Sequence, residues 1–264
     1  MTPAALCRTV TEMCRALPTI TGLQLFEHGR VGGKYYGATI SSTFQPWRNT
    51  AGEIVAYEAY ARSHSKNGDD LSPWLLFADA AVDSDLVTLD RLCRTVHALN
   101  FFSRLNLAQP LVLNVDARLL QAVPERHGEF FGKVLSLLGV SPQRIVIEIH
   151  ISHLLDLTRL RDILASYRRY GFAVAVNAES MLHARSLASL LVPDYLMLYA
   201  WSYAPDALTR LIANIKATGV GVAIKHIESA ETLAAARDAG VAWTQGFHLD
   251  LPAPEIISLD PAVN

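Results

Sequence analysis

Short apolar runs alternate with longer amphipathic segments along most of the chain. Eight runs have β-strand character, at residues 38–45, 54–62, 111–115, 144–149, 172–177, 194–198, 220–225 and 242–247. Six of them are continuous and apolar with helical segments following, which is typical of parallel strands covered by helices on both faces. The helical segments lie at residues 83–105, 151–171, 206–219 and 228–240. This pattern indicates a (β/α)8-type barrel.

The connection between the first two strands departs from an ordinary barrel. Only residues 46–53 separate these strands, which is too short for the helical crossover that joins parallel neighbours. One strand pair is therefore predicted to be antiparallel. The predicted fold class is α/β, a TIM-like (β/α)8 barrel with one antiparallel strand and an N-terminal helical extension.

The region before the barrel divides into a helix and a loop. Residues 1–17 have the pattern of an amphipathic helix and lack the basic start and unbroken apolar stretch of a signal peptide. Residues 28–37 contain four glycines and few apolar side chains, so we predict a loop there. The predicted domains are an N-terminal helical extension and loop, residues 1–37, and a barrel domain, residues 38–264.

Composition and charge exclude several classes of protein. The chain has 264 residues, of which 51% are apolar, so it can bury a large core. Its apolar runs are far shorter than the ~18 residues of a membrane span. The formal net charge of −2 gives no argument for binding nucleic acid or an anionic membrane surface.

The cysteines favour a reducing, cytoplasmic setting. Three cysteines are an odd number, and they form no CxxC motif. Cys7 and Cys14 lie one heptad apart on one face of the predicted helix. This spacing predicts a buried thiol pair in preference to a disulfide or a metal site.

The ends of the predicted strands carry the information about function, because active sites of such barrels lie at the carboxyl ends of their strands. Seven segments are informative: FQPW (44–47), YEAYAR (57–62), LNVDARLL (113–120), IVIEI (145–149), VPDYLML (192–198), IKHIES (224–229) and TQGFHLDLP (244–252). Their order and spacing resemble those of an EAL domain, the bacterial family that hydrolyses cyclic di-GMP. The resemblance covers residues 38–258 and implies a barrel of EAL type, which also has one antiparallel strand.

The resemblance implies that part of the family's site is retained. The family's reaction uses two divalent metals, bridged by carboxylates, to activate a water against a phosphodiester. Glu58 matches the glutamate of E-A-L, although Tyr60 replaces its leucine, and Arg62 matches an arginine that contacts the dinucleotide in the family. The full set of matching positions, which would form a remnant nucleotide pocket, is Gln45, Glu58, Arg62, Asn114, Glu148, Glu228 and Gln245.

Other family positions are substituted. In chain order, the family has a glutamate of E-I-T-E, two aspartates that end the fifth strand, a lysine that orders the nucleophilic water, an aspartate two residues later, and the first glutamate of E-G-V-E. Here these positions hold Ile151, Asn177, Ala178, Met197, Tyr199 and Lys225. We therefore expect Mg²⁺ or Mn²⁺ binding and catalysis to be lost, with no other cofactor.

Two interpretations of the remaining acids are open. Lys225 could place its ammonium where a metal would lie and form an ion pair with Glu58 and Glu148. Alternatively, the two glutamates are carboxylates at the barrel rim paired to Arg62 and Lys225, with no role in binding. Trp47 is predicted to pack in the core in preference to stacking on a base. A replacement zinc site from His150, His153, His226 and His248 is a further, weaker hypothesis.

The function implied by the resemblance is that of a catalytically inactive EAL-domain protein. We expect it to act by binding a protein, for example a transcriptional regulator of motility, with weak or absent cyclic di-GMP binding. The alternatives are a non-catalytic cyclic di-GMP receptor and an active phosphodiesterase with a rearranged metal site. Direct binding of nucleic acid or membrane is not expected, whereas a homodimer through the rim around the fifth and sixth strands is an open prediction.

Overall fold

The computed structural model describes residues 1–26, 29–72, 76–77, 82–104, 107–115, 117–123, 126–151, 156–200 and 205–254. Two short strands, β1 (Leu23–Leu25) and β2 (Val31–Tyr35), precede the barrel, and β5 (Asp70–Leu71) lies beside it. The barrel strands are β3 (Ala38–Arg48), β4 (Ile54–His64), β6 (Leu111–Val115), β7 (Ile145–Ile149), β8 (Ala173–Ala178), β9 (Tyr195–Tyr199), β10 (Gly221–Lys225) and β11 (Trp243–Thr244). The eight barrel strands predicted from the sequence are thus confirmed.

The pairing of the strands closes the barrel. The order runs β3–β11–β10–β9–β8–β7–β6–β4, and a further pairing of β4 with β3 completes the ring. Strand β3 is antiparallel to both β4 and β11, whereas the other barrel pairs are parallel. The prediction of one antiparallel strand is confirmed, because β3 and β4 form a hairpin with a tight connection.

Helices cover the outside of the barrel. They are α1 (Pro3–Ala16), α2 (Asp83–Arg104), α3 (Ala117–Ala122), α4 (Glu129–Leu138), α5 (Leu157–Arg169), α6 (Met181–Leu190), α7 (Pro205–Lys216) and α8 (Ala230–Asp238). The predicted helices are confirmed, with shorter bounds. Side-chain oxygens of Asp156, Ser180 and Ser229 accept hydrogen bonds from the first turns of α5, α6 and α8, which defines where these helices begin. None of the helices in the described ranges is long and apolar enough to cross a membrane.

The prediction of a loop over residues 28–37 is wrong for residues 31–35, which form β2 and pair with β3. The glycines of this strand serve close packing. A Cβ on Gly32 would lie 1.9 Å from the Phe26 ring, and one on Gly33 would lie 2.7 Å from Leu92. The glycines therefore allow a helix and a ring to approach the backbone, and this long-range contact leaves no local strand pattern.

The prediction of a buried thiol pair is also wrong, since Cys7 and Cys14 are exposed. The buried positions of α1 are Leu6, Val10 and Met13. These residues form a stripe at helical spacing, and each cysteine follows a member of the stripe by one position. A step of one residue rotates a side chain by about 100° around the helix, which turns both thiols away from the core.

The barrel interior contains an apolar layer, distinct from the larger core between strands and helices. We define the apolar layer as Trp47, Ala56, Val112, Val146, Ala175, Met197, Ala223 and Trp243. Trp47 is fully buried, and its ring centroid lies 6.1 Å from that of Trp243. The prediction that Trp47 packs in the core is confirmed.

Candidate functional site

A polar layer lies directly on the carboxyl side of the apolar layer. Side chains on one face of a strand recur every second residue, so the positions two beyond the apolar layer also point inward. Pairing in register places Asn114 opposite Glu148 and Asn177 opposite Met197. We define the polar layer as Glu58, Asn114, Glu148, Asn177 and Lys225.

Lys225 is the centre of the polar layer. Its Nζ lies 2.9 Å from Glu58 Oε1 and 2.6 Å from Glu148 Oε1. Both glutamates are fully buried, and only 7% of the lysine side chain is exposed. The predicted ion pair of Lys225 with both glutamates is confirmed. The alternative interpretation also paired these carboxylates with Lys225, and this part of it is observed as well. Strands β4, β7 and β10 direct the three side chains into the barrel.

Amide groups complete the hydrogen bonds of the two carboxylates. Asn114 Nδ2 donates to Glu58 Oε1 at 2.8 Å, and Asn177 Nδ2 donates to Glu148 Oε1 at 2.8 Å. The Nε2 atom of His150 lies 2.8 Å from Asn114 Oδ1 and 3.4 Å from Glu148 Oε1. Lys225 and the two amides therefore donate to the Oε1 atoms of the glutamates. The buried Oε2 atoms of both glutamates and Oδ1 of Asn177 have no hydrogen-bond partner within the described part of the chain.

The charges in this layer shift one another's pKa values. Burial alone would raise the pKa of Glu148, but Lys225 and, to a lesser degree, His150 outweigh burial and lower it. Burial alone would lower the pKa of Lys225, but Glu148 and Glu58 raise it well above its ordinary value. Burial also raises the pKa of Tyr60, and the nearby Glu58 carboxylate adds to this effect. The lysine therefore remains an ammonium, and two carboxylates share its single positive charge.

A cavity of about 920 Å³ opens above the polar layer. Of the sequence-predicted residues, it is lined by Gln45, Glu58, Arg62, Asn114, Ile151, Tyr199, Lys225, Glu228 and Gln245. Glu148 and Asn177 lie beneath this surface. Met197 belongs to the apolar layer, and Ala178 packs in the core between strands and helices. The structure therefore brings most of the predicted positions together but directs Ala178 away from the cavity.

The two glutamines have different surroundings. Gln45 Nε2 donates to the carbonyl oxygen of Asp250 at 2.7 Å. Gln245 Oε1 accepts a hydrogen bond from the Tyr60 hydroxyl at 3.2 Å, whereas its buried Nε2 has no partner among the residues described. Gln245 is 2% exposed, so its unpaired donor lies in the wall of the cavity.

Arg62 and Glu228 are the exposed charged groups among the predicted positions. Arg62 lines the cavity, and within the described ranges its guanidinium has neither a hydrogen bond nor an ion pair. The suggested pairing of Arg62 with a glutamate is therefore not observed. A guanidinium in this position can donate two parallel hydrogen bonds to a phosphate or a carboxylate.

The histidines do not assemble into a metal centre in the described part of the chain. His150 and His226 line the cavity, His248 is exposed, and His153 lies outside the described residues. No group of three His, Cys, Asp or Glu side chains there has the arrangement of a metal site.

The polar layer does not fit a divalent cation bridging Glu58 and Glu148. Such a cation requires oxygen ligands around it, at about 2.0–2.6 Å. Here an ammonium contacts both carboxylates at 2.9 and 2.6 Å, and amide NH₂ groups contact the same Oε1 atoms. A cation at this position would overlap the lysine and meet its positive charge.

Sequence reasoning missed several polar groups that line the cavity. Tyr60 lies two residues after Glu58, so the strand alternation could have identified it as inward-facing. Asp90 and Arg94 form a buried ion pair on α2 and also line the cavity, together with His97. The spacing of Asp90 and Arg94 predicts a helical pair, but nothing local to the sequence indicates that this helix reaches the cavity.

Comparisons with known proteins agree with this architecture. The family model described as the EAL domain matches residues 37–190, which is more than half of the chain. No curated protein matches the chain.

Solved structures with the same fold include three that contain the cyclic dinucleotide. Bacillus subtilis YkuI, an EAL-domain protein in complex with substrate c-di-GMP and calcium, has a TM-score of 0.72 and 22% identity, covering 84% of this chain and 58% of YkuI. A standalone versatile EAL protein from Vibrio cholerae O395 in its c-di-GMP-bound form has a TM-score of 0.70 and 18% identity, covering 84% and 96%. The FimX EAL domain of Xanthomonas citri in complex with c-diGMP has a TM-score of 0.68 and 17% identity, covering 97% and 96%. The chain thus spans little more than half the length of YkuI.

Proposed function

Because this chain belongs to the EAL domain family, we propose that it is a member of cyclic di-GMP signalling that acts by binding and does not hydrolyse the dinucleotide. The observation that carries this proposal is the Lys225 ammonium, 2.9 Å from Glu58 and 2.6 Å from Glu148. Two-metal hydrolysis needs cations to polarise the phosphodiester and lower the pKa of a water. An ammonium that is paired with both carboxylates cannot bind a water and lower its pKa as a metal does.

Three further positions support the loss of activity. The resemblance places a catalytic lysine at Met197, but Met197 is fully buried in the apolar layer. It places metal-binding aspartates at Asn177 and Ala178. Asn177 donates its amide to Glu148, and Ala178 faces the helices. The expected ligands are therefore replaced by an amide that donates a hydrogen bond to an acid and by a methyl group.

The proposed binding target is a protein, such as a transcriptional or motility regulator. One apolar side chain at the cavity is exposed: Phe247 lines the cavity and is 64% exposed. Aromatic side chains are enriched in protein–protein interfaces, which supports a protein partner at this edge of the cavity. We place this interaction in the cytoplasm, as the reduced cysteines suggest.

A second candidate is a non-catalytic cyclic di-GMP receptor. Arg62 has no partner within the described ranges, and the cavity of about 920 Å³ is of the size that takes a small ligand. Several structural neighbours hold the dinucleotide in the same fold. Against tight binding, the cavity carries Lys225 and Tyr199 where the family has acids, so we propose weak or absent affinity.

A hydrolysis assay tests the central proposal. The purified chain is incubated with cyclic di-GMP and Mg²⁺ or Mn²⁺, with Glu58→Ala as the control variant. We expect no turnover above the rate of the control. Turnover that disappears in Glu58→Ala would establish the third alternative, a phosphodiesterase with a rearranged metal site.

Calorimetry separates the two binding candidates. Cyclic di-GMP is titrated into the wild type and into Arg62→Ala, with and without Mg²⁺. Weak or no heat in both proteins supports the protein-binding function, and a pull-down from the native host then seeks the partner. Saturable binding that is lost in Arg62→Ala would instead support the receptor.

A further inference from the structure

The cavity is lined by residues from both faces of strand β4. Paired residues of antiparallel strands lie on the same face of a sheet. Glu58 pairs with Gln45, and both line the cavity from the barrel interior. Ala61 pairs with Ser42, whose Oγ lies 2.7 Å from His97 Nδ1 on α2. Ala61 therefore faces α2 on the outside of the barrel, and yet it also lines the cavity.

The pairing of β4 with β6 ends at the level where the cavity reaches α2. The two strands pair only over residues 57–59 of β4, although β4 continues to His64. We define the side chamber as the part of the cavity that is lined by Ala59, Ala61, Asp90, Cys93, Arg94 and His97. Its four residues from α2 are spaced at i, i+3, i+4 and i+7, so they form one stripe along the helix. The side chamber thus lies between this stripe and the small side chains of β4.

We propose that the side chamber binds a small, uncharged organic molecule with a carbonyl oxygen, and that His97 Nε2 donates a hydrogen bond to that oxygen. This site is distinct from the polar layer, which lies on the other face of β4. The inference does not depend on the proposed function, because it requires neither cyclic di-GMP nor a protein partner.

His97 supplies a hydrogen-bond donor that is fixed in position. Asn100 Nδ2 donates to Ser42 Oγ at 3.2 Å, and the Ser42 hydroxyl in turn donates to His97 Nδ1, its one acceptor among the residues described. This bond places the imidazole proton on Nε2. His97 is 5% exposed and lines the cavity, and its Nε2 has no hydrogen-bond partner in the described part of the chain. A buried donor without a partner is costly, and a carbonyl oxygen would satisfy it.

The charges of the side chamber favour an uncharged ligand. Burial lowers the pKa of His97 to about 3, so its ring is neutral at physiological pH. Asp90 and Arg94 are buried and neutralise each other in an ion pair. Burial raises the pKa of the Cys93 thiol, which therefore stays protonated. A charged ligand would lose its hydration here without gaining an unpaired counter-charge.

Three probes of similar size test these requirements on the wild-type protein. Benzamide carries a neutral carbonyl group, toluene has no hydrogen-bond acceptor, and benzoate is charged. Binding is followed by nuclear magnetic resonance, and the His97 ring nitrogens are observed in a long-range proton–nitrogen correlation spectrum. We expect benzamide to shift the His97 Nε2 signal. Toluene and benzoate should bind about tenfold more weakly or not at all, because one net hydrogen bond contributes about a factor of ten in affinity.

Two variants locate the bound probe. Ala61→Leu fills the side chamber and leaves the donor unchanged, so we expect it to abolish benzamide binding. His97→Phe keeps a ring but removes the N–H group, so the Kd for benzamide should rise about tenfold. Arg62→Ala alters the exposed part of the cavity. A benzamide response that is lost in Arg62→Ala and retained in Ala61→Leu would overturn the inference.

Two results on the wild type alone would also overturn it. One is a His97 Nε2 signal that benzamide leaves unchanged, and the other is benzoate or toluene binding as tight as that of benzamide. Neither result depends on the folding of a variant. The hydrolysis assay and the cyclic di-GMP titration use other ligands, so this inference and the proposed function can fail separately.

Discussion

The apolar layer and the polar layer are neighbours on the same strands, yet they are stabilised in different ways. In the apolar layer Trp47, Met197 and Trp243 fill the barrel mainly by apolar contact. Two residues further along the parallel strands, Glu58 and Glu148 are equally buried and are held by Lys225. The two layers lie on the same strands, so they differ only in their side chains. Apolar side chains are stabilised by packing, whereas buried carboxylates need a positive charge and hydrogen-bond donors beside them.

This comparison shows why the two layers tolerate change differently. An apolar side chain that is removed leaves a cavity, and the cost grows with the volume lost. A charge that is removed from a buried ion pair leaves its partner without compensation, which costs more than its volume implies. The cost of removing one charged member of the polar layer should therefore depend on which of its charged partners remain.

The largest effect is expected for Lys225→Met. The change leaves two buried carboxylates without a cation, and we expect the free energy of unfolding to fall by roughly 3–5 kcal/mol at neutral pH. Chemical denaturation measures this value. The triple variant Lys225→Met, Glu58→Gln, Glu148→Gln should recover most of the loss, because no buried charge remains. A triple variant as unstable as the single one would show that the lysine acts by packing, as the apolar layer does.

Met197→Ala should have the next largest effect. Met197 is fully buried between Asn177 and Ala223 on neighbouring strands, so truncation leaves a cavity. We expect a loss of about 3 kcal/mol in unfolding free energy. Phe247→Ala, at a side chain that is 64% exposed, is the control and should change it far less. Equal losses in the two variants would contradict the assignment of Met197 to the core.

The free energy of unfolding should depend on pH in opposite directions in the wild type and in Lys225→Met. The folded state lowers the pKa of Glu148, so the wild type loses this contribution only as the pH falls below about 4.3, the ordinary glutamate value. Without the ammonium, burial should raise the pKa of Glu148 in Lys225→Met, and the free energy of unfolding of this variant should increase as the pH falls from 7 towards about 4.3. The difference in the free energy of unfolding between the wild type and Lys225→Met should therefore become smaller as the pH is lowered.

Denaturation series at several pH values check this expectation, with Met197→Ala as the control. The free energy of unfolding of Met197→Ala should differ from that of the wild type by the same amount at every pH in this range, because no titrating group is changed. If the difference in unfolding free energy between the wild type and Lys225→Met is also independent of pH, the instability of this variant does not come from unpaired glutamates.

Much of this organisation was predictable from the sequence. The strands of both layers were predicted because apolar runs of five or six residues are bounded by polar ends. The ion pair was predictable because parallel strands bring their carboxyl ends together, so Glu58, Glu148 and Lys225 must meet. The retained and substituted positions came from resemblance, and the loss of activity inferred from them stays a proposal.

The features that sequence reasoning missed depend on contacts between distant residues. Gly32 and Gly33 lie in a strand because Phe26 and Leu92 pack on their backbone. The direction of the Asn177 amide depends on which buried oxygen it meets, here Oε1 of Glu148. The exposure of Cys7 depends on the phase of the helix, which neighbouring apolar residues determine. None of these contacts leaves a local pattern.

The smallest effect is expected at His226, which follows Lys225 where β10 leaves the polar layer. His226 has φ of +60°, a left-handed conformation that costs an L-residue about 1–2 kcal/mol relative to glycine. Its ring lies 5.5 Å from that of Tyr199, and both line the cavity. His226→Gly and His226→Ala both remove this ring contact, but only glycine relieves the backbone. We expect His226→Gly to be more stable than His226→Ala by about 1 kcal/mol in chemical denaturation. If the two variants are equally stable, the backbone beside the polar layer carries no strain, and a histidine at this position needs no functional explanation. If glycine is more stable, the chain retains a strained backbone that presents an imidazole to the cavity, which is typical of a surface kept for binding.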